Sequence, residues 1–409
     1  MKHIVKARLI AVVLLIMTAA VVSGGDALSP NGQTVIDLGV PVFGTRYYNS
    51  AAGEMFPSMM GASITVQREF RRALPSIYSY SQTAHSQYAD EDCEETVYGS
   101  AGAWPAASCP TSMCAPDSKW VMWDVPFSIR ETKKRKDDYL GYKQSVSGFA
   151  TGLSYMLGES SAVGLAVGYD YRKLDGRDNY HMRNRADTFH LALFGGTSVG
   201  NFFFDAYAGW SRSWNRSERA VYYTNTTDEN RGNFNDTVLS AGLKMSYVWV
   251  LPNNMRITPS LGLDFSHVRF GGLTEKGSNT GGGASTSLLR VDKSKYSSAA
   301  MPIMISMNKT FSSGFLCLGG YESLWTPEVR GGYVPQFGAK RITTTNTITG
   351  STYPSFSARS TSMNAGYGTV GAGLKIKIRD KYIFGVDYDF AFSSKYQNHS
   401  LTAMYGVSF

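Results

Sequence analysis

From Trp120 onward, the chain consists of segments in which large apolar side chains alternate with small or polar ones. In residues 148–157 every second side chain is large and mostly apolar, and residues 162–173 repeat the pattern. A period of two places successive side chains on opposite faces of a β-strand. The segments span about 10–14 residues, which is nearer the 9–11 residues of a tilted membrane strand than the 5–6 residues of a soluble one. The pattern therefore predicts strands that cross a membrane.

Twelve strands are predicted, and the connections between them alternate in length. The strands are expected at 120–130, 144–157, 162–173, 186–197, 202–215, 234–250, 255–270, 288–311, 315–337, 361–378, 381–394 and 398–409. Tight turns of Gly, Asn, Ser, Pro and Asp alternate with long polar loops near 131–143, 174–185, 216–233, 271–287 and 338–360. Outer-membrane barrels have short periplasmic turns and longer external loops. The fold class is therefore predicted as all-β, a twelve-stranded antiparallel transmembrane β-barrel with both ends on the periplasmic side.

Aromatic side chains near the predicted strand ends fit the same fold. In barrels such rings form girdles at the level of the lipid headgroups. The girdle is expected to include Trp120, Trp123, Trp210, Trp214, Trp249, Trp325 and Tyr382.

The last predicted strand has a pattern of its own. Tyr405, Val407 and Phe409 alternate with smaller residues, and the sequence ends on Phe409. Such a strand can pair with the first one and remove both edges of the sheet. A final Phe on it resembles the signal that the barrel-assembly machinery of Gram-negative bacteria reads, so these three residues are predicted to form that signal.

Residues 1–27 have the three parts of a secretory signal peptide. A basic start is followed by an apolar run of about 14 residues at 9–22, and small residues follow, with cleavage expected near Gly24 or Ala27. The run is shorter than the roughly 20 residues that span a bilayer as a helix. The predicted organisation is a signal peptide at 1–27, a short extension or reduced passenger at 28–118, and a barrel at 119–409.

Composition and cysteine content change the picture in two ways. The formal net charge of +8 suits any phosphate-bearing surface, and the export signal favours a membrane surface over nucleic acid.

Export also places the four cysteines in an oxidising space where disulfides persist. Cys109 and Cys114 are close enough in sequence to form one, although other pairings stay open. No metal site and no cofactor are predicted, because the cysteine spacing is not that of a zinc knuckle.

Basic residues collect in the predicted external loops. The run Lys133, Lys134, Arg135 and Lys136 lies in the first loop, and a wider cationic rim is expected from Arg172, Lys173, Arg177, Arg183, Arg185, Arg212, Arg216 and Arg219. Guanidinium groups bind phosphate bidentately, so both sets are candidates for contact with lipopolysaccharide.

Catalytic chemistry has little support in the sequence. Nucleophilic catalysis needs a base beside the nucleophile, and the base must itself be oriented. The His/Asp pairs that are close in sequence are scattered one to a strand or loop, as His181, His190, His267 and His399 with Asp178, Asp187 and Asp264. No catalytic residue is predicted, and the protein is not expected to be an enzyme.

The segment 119–409 resembles the autotransporter β-domain, the translocator of type V secretion. Pro259 in the stretch 257–263, followed by Glu275 and Gly277 in 270–277, is similar to one block of that family. Pro327 and Glu328, within Trp325–Tyr333, are similar to another. The final hairpin with Phe409 is similar to the family's last two strands. The order and spacing of these pieces carry the likeness.

The resemblance implies a barrel in the cell outer membrane, with a segment threaded through its pore, that anchors its own N-terminal segment and translocates it to the cell surface. It also implies the barrel-assembly machinery, lipid and lipopolysaccharide as partners, and a monomer is expected. Residues 28–118 lack the repeats of a β-helical passenger, and residues 102–116 contain three prolines, so no helix is expected just before Trp120. An Asn-Asn cleavage pair is also absent there. The alternatives are a passive pore or surface-binding barrel, an outer-membrane enzyme with a site on external loops, and a soluble β-protein.

Overall fold

The structure of the chain, a computed structural model, describes residues 55–75, 119–135, 140–157, 160–177, 182–222, 227–252, 255–277, 288–313, 323–338, 341–349, 354–360, 365–378 and 381–409. The predicted signal peptide, Cys109, Cys114 and Lys136 lie outside the described residues, so the calls made on them stay predictions.

The described part of the chain forms one helix followed by twenty strands. The helix is α1, Met55–Ala73. In chain order the strands are β1 Trp120–Lys133, β2 Tyr142–Met156, β3 Ser161–Gly176, β4 Met182–Val199, β5 Phe202–Tyr222, β6 Thr227–Tyr247, β7 Trp249–Val250, β8 Met255–Phe270, β9 Leu273–Thr274, β10 Lys276–Gly277, β11 Leu289–Val291, β12 Ser294–Ala300, β13 Ile303–Lys309, β14 Phe311–Ser313, β15 Ser323–Gly338, β16 Thr343–Ile348, β17 Phe356–Arg359, β18 Gly366–Ile378, β19 Tyr382–Ser393 and β20 Tyr396–Ser408.

The long strands close into a barrel of twelve antiparallel positions, which confirms the predicted fold. Neighbours along the chain pair from β1 to β6, β6 pairs with β8, and β20 pairs with β1. One position is shared by β12 and β13, which both pair with β8 and β15 and are separated at Met301 and Pro302. Backbone hydrogen bonds between Trp120 and Phe409 complete the closure. A closed sheet has no free edge, which is the condition for a β-structure to exist in lipid.

The two faces of the barrel follow the alternation in the sequence. Phe149 and Leu153 on β2, and Leu165 on β3, are exposed on the outer face, whereas Ala150 and Ala166 are buried inside. Apolar side chains on the outer face meet lipid, and small or polar ones line the pore.

The first strand departs from this rule. On β1 the large side chains Trp123, Val125, Phe127 and Ile129 point inward and are buried. The prediction that Trp123 belongs to the aromatic girdle is therefore wrong. Its indole donates a hydrogen bond to Ser154 (3.2 Å) inside the barrel instead.

The barrel has a turn end and a loop end. At the turn end, short connections join β2 to β3 and β4 to β5. At the loop end, β9, β11, β16 and β17 form a separate four-stranded sheet, called here the lid. The loops predicted at 271–287 and 338–360 thus contain strands. The loop predicted at 216–233 is mostly hairpin, because β5 and β6 stay paired up to Tyr222 and Thr227.

The helix α1 is not among the predicted elements, and it ends at Ala73, more than 40 residues before Trp120. Its apolar positions Phe56, Met59, Met60 and Ile64 follow helical spacing. Arg71 and Arg72 in its last turn interact favourably with the helix dipole. Nearly all of its side chains are buried inside the barrel. Burial against the pore wall, more than intrinsic propensity, holds a helix of this kind.

Candidate functional site: the pore and its helix

The middle of α1 is tied to the pore wall by a buried charged network. Arg172 donates to the Ser63 hydroxyl on α1 (2.7 Å) and to Asn215 (2.8 Å). Its guanidinium also forms an ion pair with Asp236 (3.7 Å), and Ser63 donates to the same carboxylate (2.9 Å). Asn215 donates to Asp236 as well (3.1 Å). Buried charges are tolerated when they are paired and hydrogen-bonded, so this network fixes both the depth and the rotation of α1.

One helical turn further on, α1 meets a histidine. Gln67 donates to Ser240 (2.9 Å), which orients its amide so that its oxygen faces His190 Nδ1 at 3.0 Å. His190 Nε2 contacts Asp170, and both side chains are fully buried. The Phe70 ring stacks on the imidazole with centroids 4.4 Å apart and an interplanar angle of 15°.

This His/Asp pair is the closest approach to catalytic geometry among the described histidines. Both ring nitrogens of His190 are engaged, so neither is available to activate a nucleophile. His267 contacts Ser297 (2.8 Å) and His399 contacts the Tyr388 hydroxyl (2.7 Å), both near the outer surface. His181 and Asp178 lie outside the described residues. The contacts of His190 therefore position α1 in the pore.

The C-terminal end of α1 carries a group of arginines. Arg71 pairs with Asp264 and lies over the Tyr207 ring, 4.9 Å from its centroid. Arg72 pairs with Glu69 within α1 (2.7 Å), and Arg68 donates to the Tyr367 hydroxyl (3.2 Å). A cavity of about 330 Å³ adjoins this end of the helix. Its lining includes a second ion-pair cluster, in which Arg330 binds Asp387, Asp389 and Glu328 at 2.7–3.2 Å.

Apolar contacts hold the two ends of α1. At the loop end, Phe56, Met59 and Met60 share one buried cluster with the lid residues Leu289 and Phe356. Toward the turn end, α1 packs on the inward face of β1 through a second cluster that contains Val66, Phe70, Trp123, Val125, Phe127 and Ile129. The inverted pattern of β1 is thus explained by the helix, because these large side chains pack against α1 rather than lipid.

Two glycines make room for the helix. A Cβ at Gly168 would lie 2.4 Å from Phe70, and one at Gly209 would lie 2.8 Å from the Gln67 amide nitrogen. Both distances are shorter than real Cβ contacts allow. Gly168 and Gly209 therefore face α1 directly.

The residues that resemble motifs of the autotransporter β-domain fall into two groups in the structure. Glu275 is buried and binds Arg219 through both of its oxygens, and it also accepts a hydrogen bond from the Leu289 amide (2.9 Å). This pair joins the lid to the β5–β6 hairpin, where Gly277 pairs with Asn230. Pro259, Pro327 and Glu328 lie in barrel strands, with Glu328 in the Arg330 cluster.

The predicted assembly signal lies on the closing strand β20 and at Phe409, the residue that follows it. Tyr405 is opposite Asp124 of β1 and packs on Phe384 with ring centroids 5.2 Å apart. Val407 is opposite Met122, and Phe409 is exposed beside Trp120. The three side chains share one outward face. Recognition by assembly machinery stays a prediction.

The basic run in the first loop is divided by the fold. Lys133 lies on the inward face of β1 and is buried, whereas Lys134 and Arg135 are half-buried. Arg172 and Arg219, which the sequence grouped with the external rim, also point into the pore. Contact with lipopolysaccharide stays a prediction for Lys134 and Arg135, and also for Lys136, which lies outside the described residues.

Comparison with known proteins shows which family shares this architecture. The model of the autotransporter beta-domain family matches residues 125–389. The translocator domain of autotransporter NalP from Neisseria meningitidis superimposes with a TM-score of 0.54 at 15% identity, over 71% of this chain and 89% of that one. The beta domain of the Bordetella autotransporter Brka gives a TM-score of 0.53 at 16% identity, over 71% of this chain and all of that one.

Curated relatives are longer than this chain. It is 22% identical over 382 residues to an extracellular serine protease of Serratia marcescens, covering 93% of this chain and 33% of that protein. It is 24% identical over 327 residues to outer membrane protein B of Rickettsia japonica, covering 77% of this chain and 19% of that protein. The chain therefore spans a third or less of the length of these relatives.

Family and fold together settle the location of the protein. Within the part of the chain that the structure describes, no helix combines the length and hydropathy needed to cross a bilayer. The closed strands carry an apolar outer face and a polar interior, which is the arrangement of proteins in the bacterial outer membrane. The chain is an outer-membrane protein and belongs to the autotransporter beta-domain family.

Proposed function

We propose that this protein translocates its own N-terminal segment across the outer membrane and then retains α1 in the pore as an anchor and plug. The observation that carries the proposal is the direction of α1. Its first turns contact the lid through Phe56 and Met59 at the loop end, and its last turn contacts Asp264 deeper in the barrel.

The direction of α1 decides where the preceding residues lie. Loops of such barrels face the outside and turns face the periplasm. Because α1 begins at the loop end, the proposal assigns the segment that precedes it to the external side. The barrel itself begins at the turn end, where Trp120 pairs with Phe409. The helix α1 therefore runs through the pore from the loop end toward the end at which β1 begins.

The contacts of α1 favour a retained helix over an open channel. Six large apolar side chains, from Phe56 to Phe70, are buried, and each contributes roughly 1.5–3 kcal/mol relative to exposure, an upper estimate because the unfolded chain already buries some surface. Burial of this size stabilises the state in which α1 is docked in the pore after translocation. Reaching that state therefore requires no nucleotide hydrolysis. The same burial also argues against a permanently open pore.

The remaining expectations are proposals of the same kind. Domain limits at residues 27 and 118, recognition of Tyr405, Val407 and Phe409 by the barrel-assembly machinery, lipopolysaccharide contact by the first loop, a monomeric state and a disulfide between Cys109 and Cys114 each await a direct test. A barrel without catalytic activity is proposed on the family relationship and on the engaged nitrogens of His190.

The proposal is tested by protease access to epitope tags in intact cells. One tag follows Ala27, one lies between β16 and β17 at the loop end, and one lies between β18 and β19 at the turn end. We expect cleavage of the first two tags and protection of the third, which is cleaved once the membrane is opened. Protection of the Ala27 tag, with the β16–β17 tag cleaved, would show that the segment stays inside and would refute translocation.

A further inference from the structure

The outer face of β3 changes character in a fixed order toward the loop end. On β3 the outward side chains are Leu165, Val167, Tyr169, Tyr171 and Lys173. The apolar positions belong at the level of the acyl chains, and the aromatic rings mark the headgroup level. Lys173 is two residues beyond the last ring, so its ammonium group lies where lipid phosphates lie.

The two neighbouring strands place arginines beside this lysine. In the antiparallel register Lys173 is opposite Arg185, and Arg185 is opposite Arg216. These three residues, called here the cationic row, lie on the outer face of three adjacent strands. Strands are about 4.8 Å apart, so the row spans roughly 10 Å. The Trp214 ring on β5 lies just below Arg216 and is exposed.

Such an arrangement is unfavourable without a ligand. Like charges directly opposite each other destabilise a sheet. Lys173 has a carboxylate neighbour, Asp175, at 3.3 Å. Arg185 and Arg216 form no ion pair within the part of the chain that the structure describes. Their guanidinium groups therefore face the headgroup level with their donors available.

The next row toward the loop end shows what a balanced surface looks like in the same sheet. There Asp175 is opposite Arg183, Arg183 is opposite Glu218, and Glu218 is opposite Arg231. Acids alternate with bases, and Arg183 binds Asp175 at 3.0 Å. The cationic row lacks this alternation and lies nearer the membrane, which points to a ligand supplied by the membrane itself.

We propose that the cationic row binds the phosphate groups of a phosphorylated glycolipid in the outer leaflet. Each guanidinium can hold a phosphate through two parallel hydrogen bonds. The span of the row suits a headgroup with two phosphates, and the rings of Tyr171 and Trp214 suit the adjoining sugars and acyl chains. The site is independent of α1, because it lies on the outer face of the barrel.

The test measures lipid binding to the purified full chain in a non-ionic detergent by native mass spectrometry. The probes are diphosphorylated lipid A, lipid A with its phosphates removed, and phosphatidylglycerol. The double variant Arg185→Gln/Arg216→Gln removes two cations from the row. Its matched control, Arg183→Gln/Arg231→Gln, removes two cations from the balanced row. Retention of the folded barrel is checked for each by its heat-dependent mobility in gels.

Loss of two juxtamembrane cations is expected to weaken diphosphorylated lipid A binding by about 10-fold or more, with a change of less than about 3-fold in the control. Removal of the lipid phosphates should abolish the difference between the variants. Equal weakening in both variants, or none in either, would overturn the site. If phosphatidylglycerol bound as tightly as lipid A, and if the double variant weakened the binding of both lipids equally, the glycolipid would be overturned as the ligand of the cationic row.

Discussion

The fit between Phe70 and Gly168 gives the sharpest test of a helix docked in the pore. In Gly168→Ala, the new Cβ would lie 2.4 Å from Phe70 Cε2 and 3.0 Å from the Phe149 carbonyl oxygen. Carbon atoms in contact are normally about 3.5–4.0 Å apart, so the ring has to move by more than about 1 Å. That movement breaks its stack on His190.

The magnitude follows from two contributions. Overpacking a buried site costs roughly 1–3 kcal/mol, and loss of an aromatic stack costs about 0.5–1.5 kcal/mol more. The sum weakens docking of α1 by about 10-fold to 1,000-fold. The barrel wall itself keeps its hydrogen-bonded ladders, so its own stability should change little.

Amide hydrogen exchange, followed by mass spectrometry on peptides from α1, measures this opening free energy. We expect faster exchange in α1 for Gly168→Ala and unchanged exchange in β18–β20. Gly262→Ala is the matched control, because this inward glycine has its nearest neighbours at 3.4–3.6 Å. Phe70→Leu removes the colliding ring, so Gly168→Ala should cost at least about 1 kcal/mol less in that background. Additivity within about 0.5 kcal/mol would refute a direct Phe70–Gly168 contact.

Two further predictions concern the lid and the pairing of β1 with β20, which is called here the seam. Glu275→Ala removes the carboxylate that pairs with the buried Arg219 guanidinium, at a cost of roughly 3–5 kcal/mol. Proteolysis between β10 and β11 should therefore accelerate, whereas Lys276→Ala, at an exposed position, should not change it, and equal rates in the two variants would contradict the role of the pair. At the seam, the β1–β20 ladder is interrupted at Pro126, which has no N–H to donate. Pro126→Val should restore a hydrogen bond worth about 0.5–1.5 kcal/mol and raise the temperature at which the barrel unfolds in detergent; an unchanged or lower temperature would show that the gap has another cause.

Much of the barrel was predictable because its signal is local. Alternation along residues 148–157 identifies a strand and assigns its faces at once, since a period of two has one geometric meaning. The same logic failed on β1, where Trp123 and Phe127 alternate equally well. Alternation gives two faces but does not say which one meets lipid, and on this strand the apolar face meets α1.

The helix and the lid were missed for a different reason. The spacing of Phe56, Met59 and Met60 is visible in the sequence, yet 19 residues of modest apolarity do not form a stable helix alone. Its stability comes from partners such as Arg172 and His190, far away along the chain. The short lid strands likewise depend on pairings such as Leu289 with Ile348, nearly 60 residues apart.

The sequence by itself determined the strands, their antiparallel order, the short and long connections and the membrane in which they reside, because each depends on neighbours along the chain or on the lipid outside. Only the tertiary structure decided what fills the pore, which way α1 runs, which partner Glu275 has and which cations face the membrane. Those features depend on contacts between segments that the barrel brings together when it closes, and no local pattern encodes them.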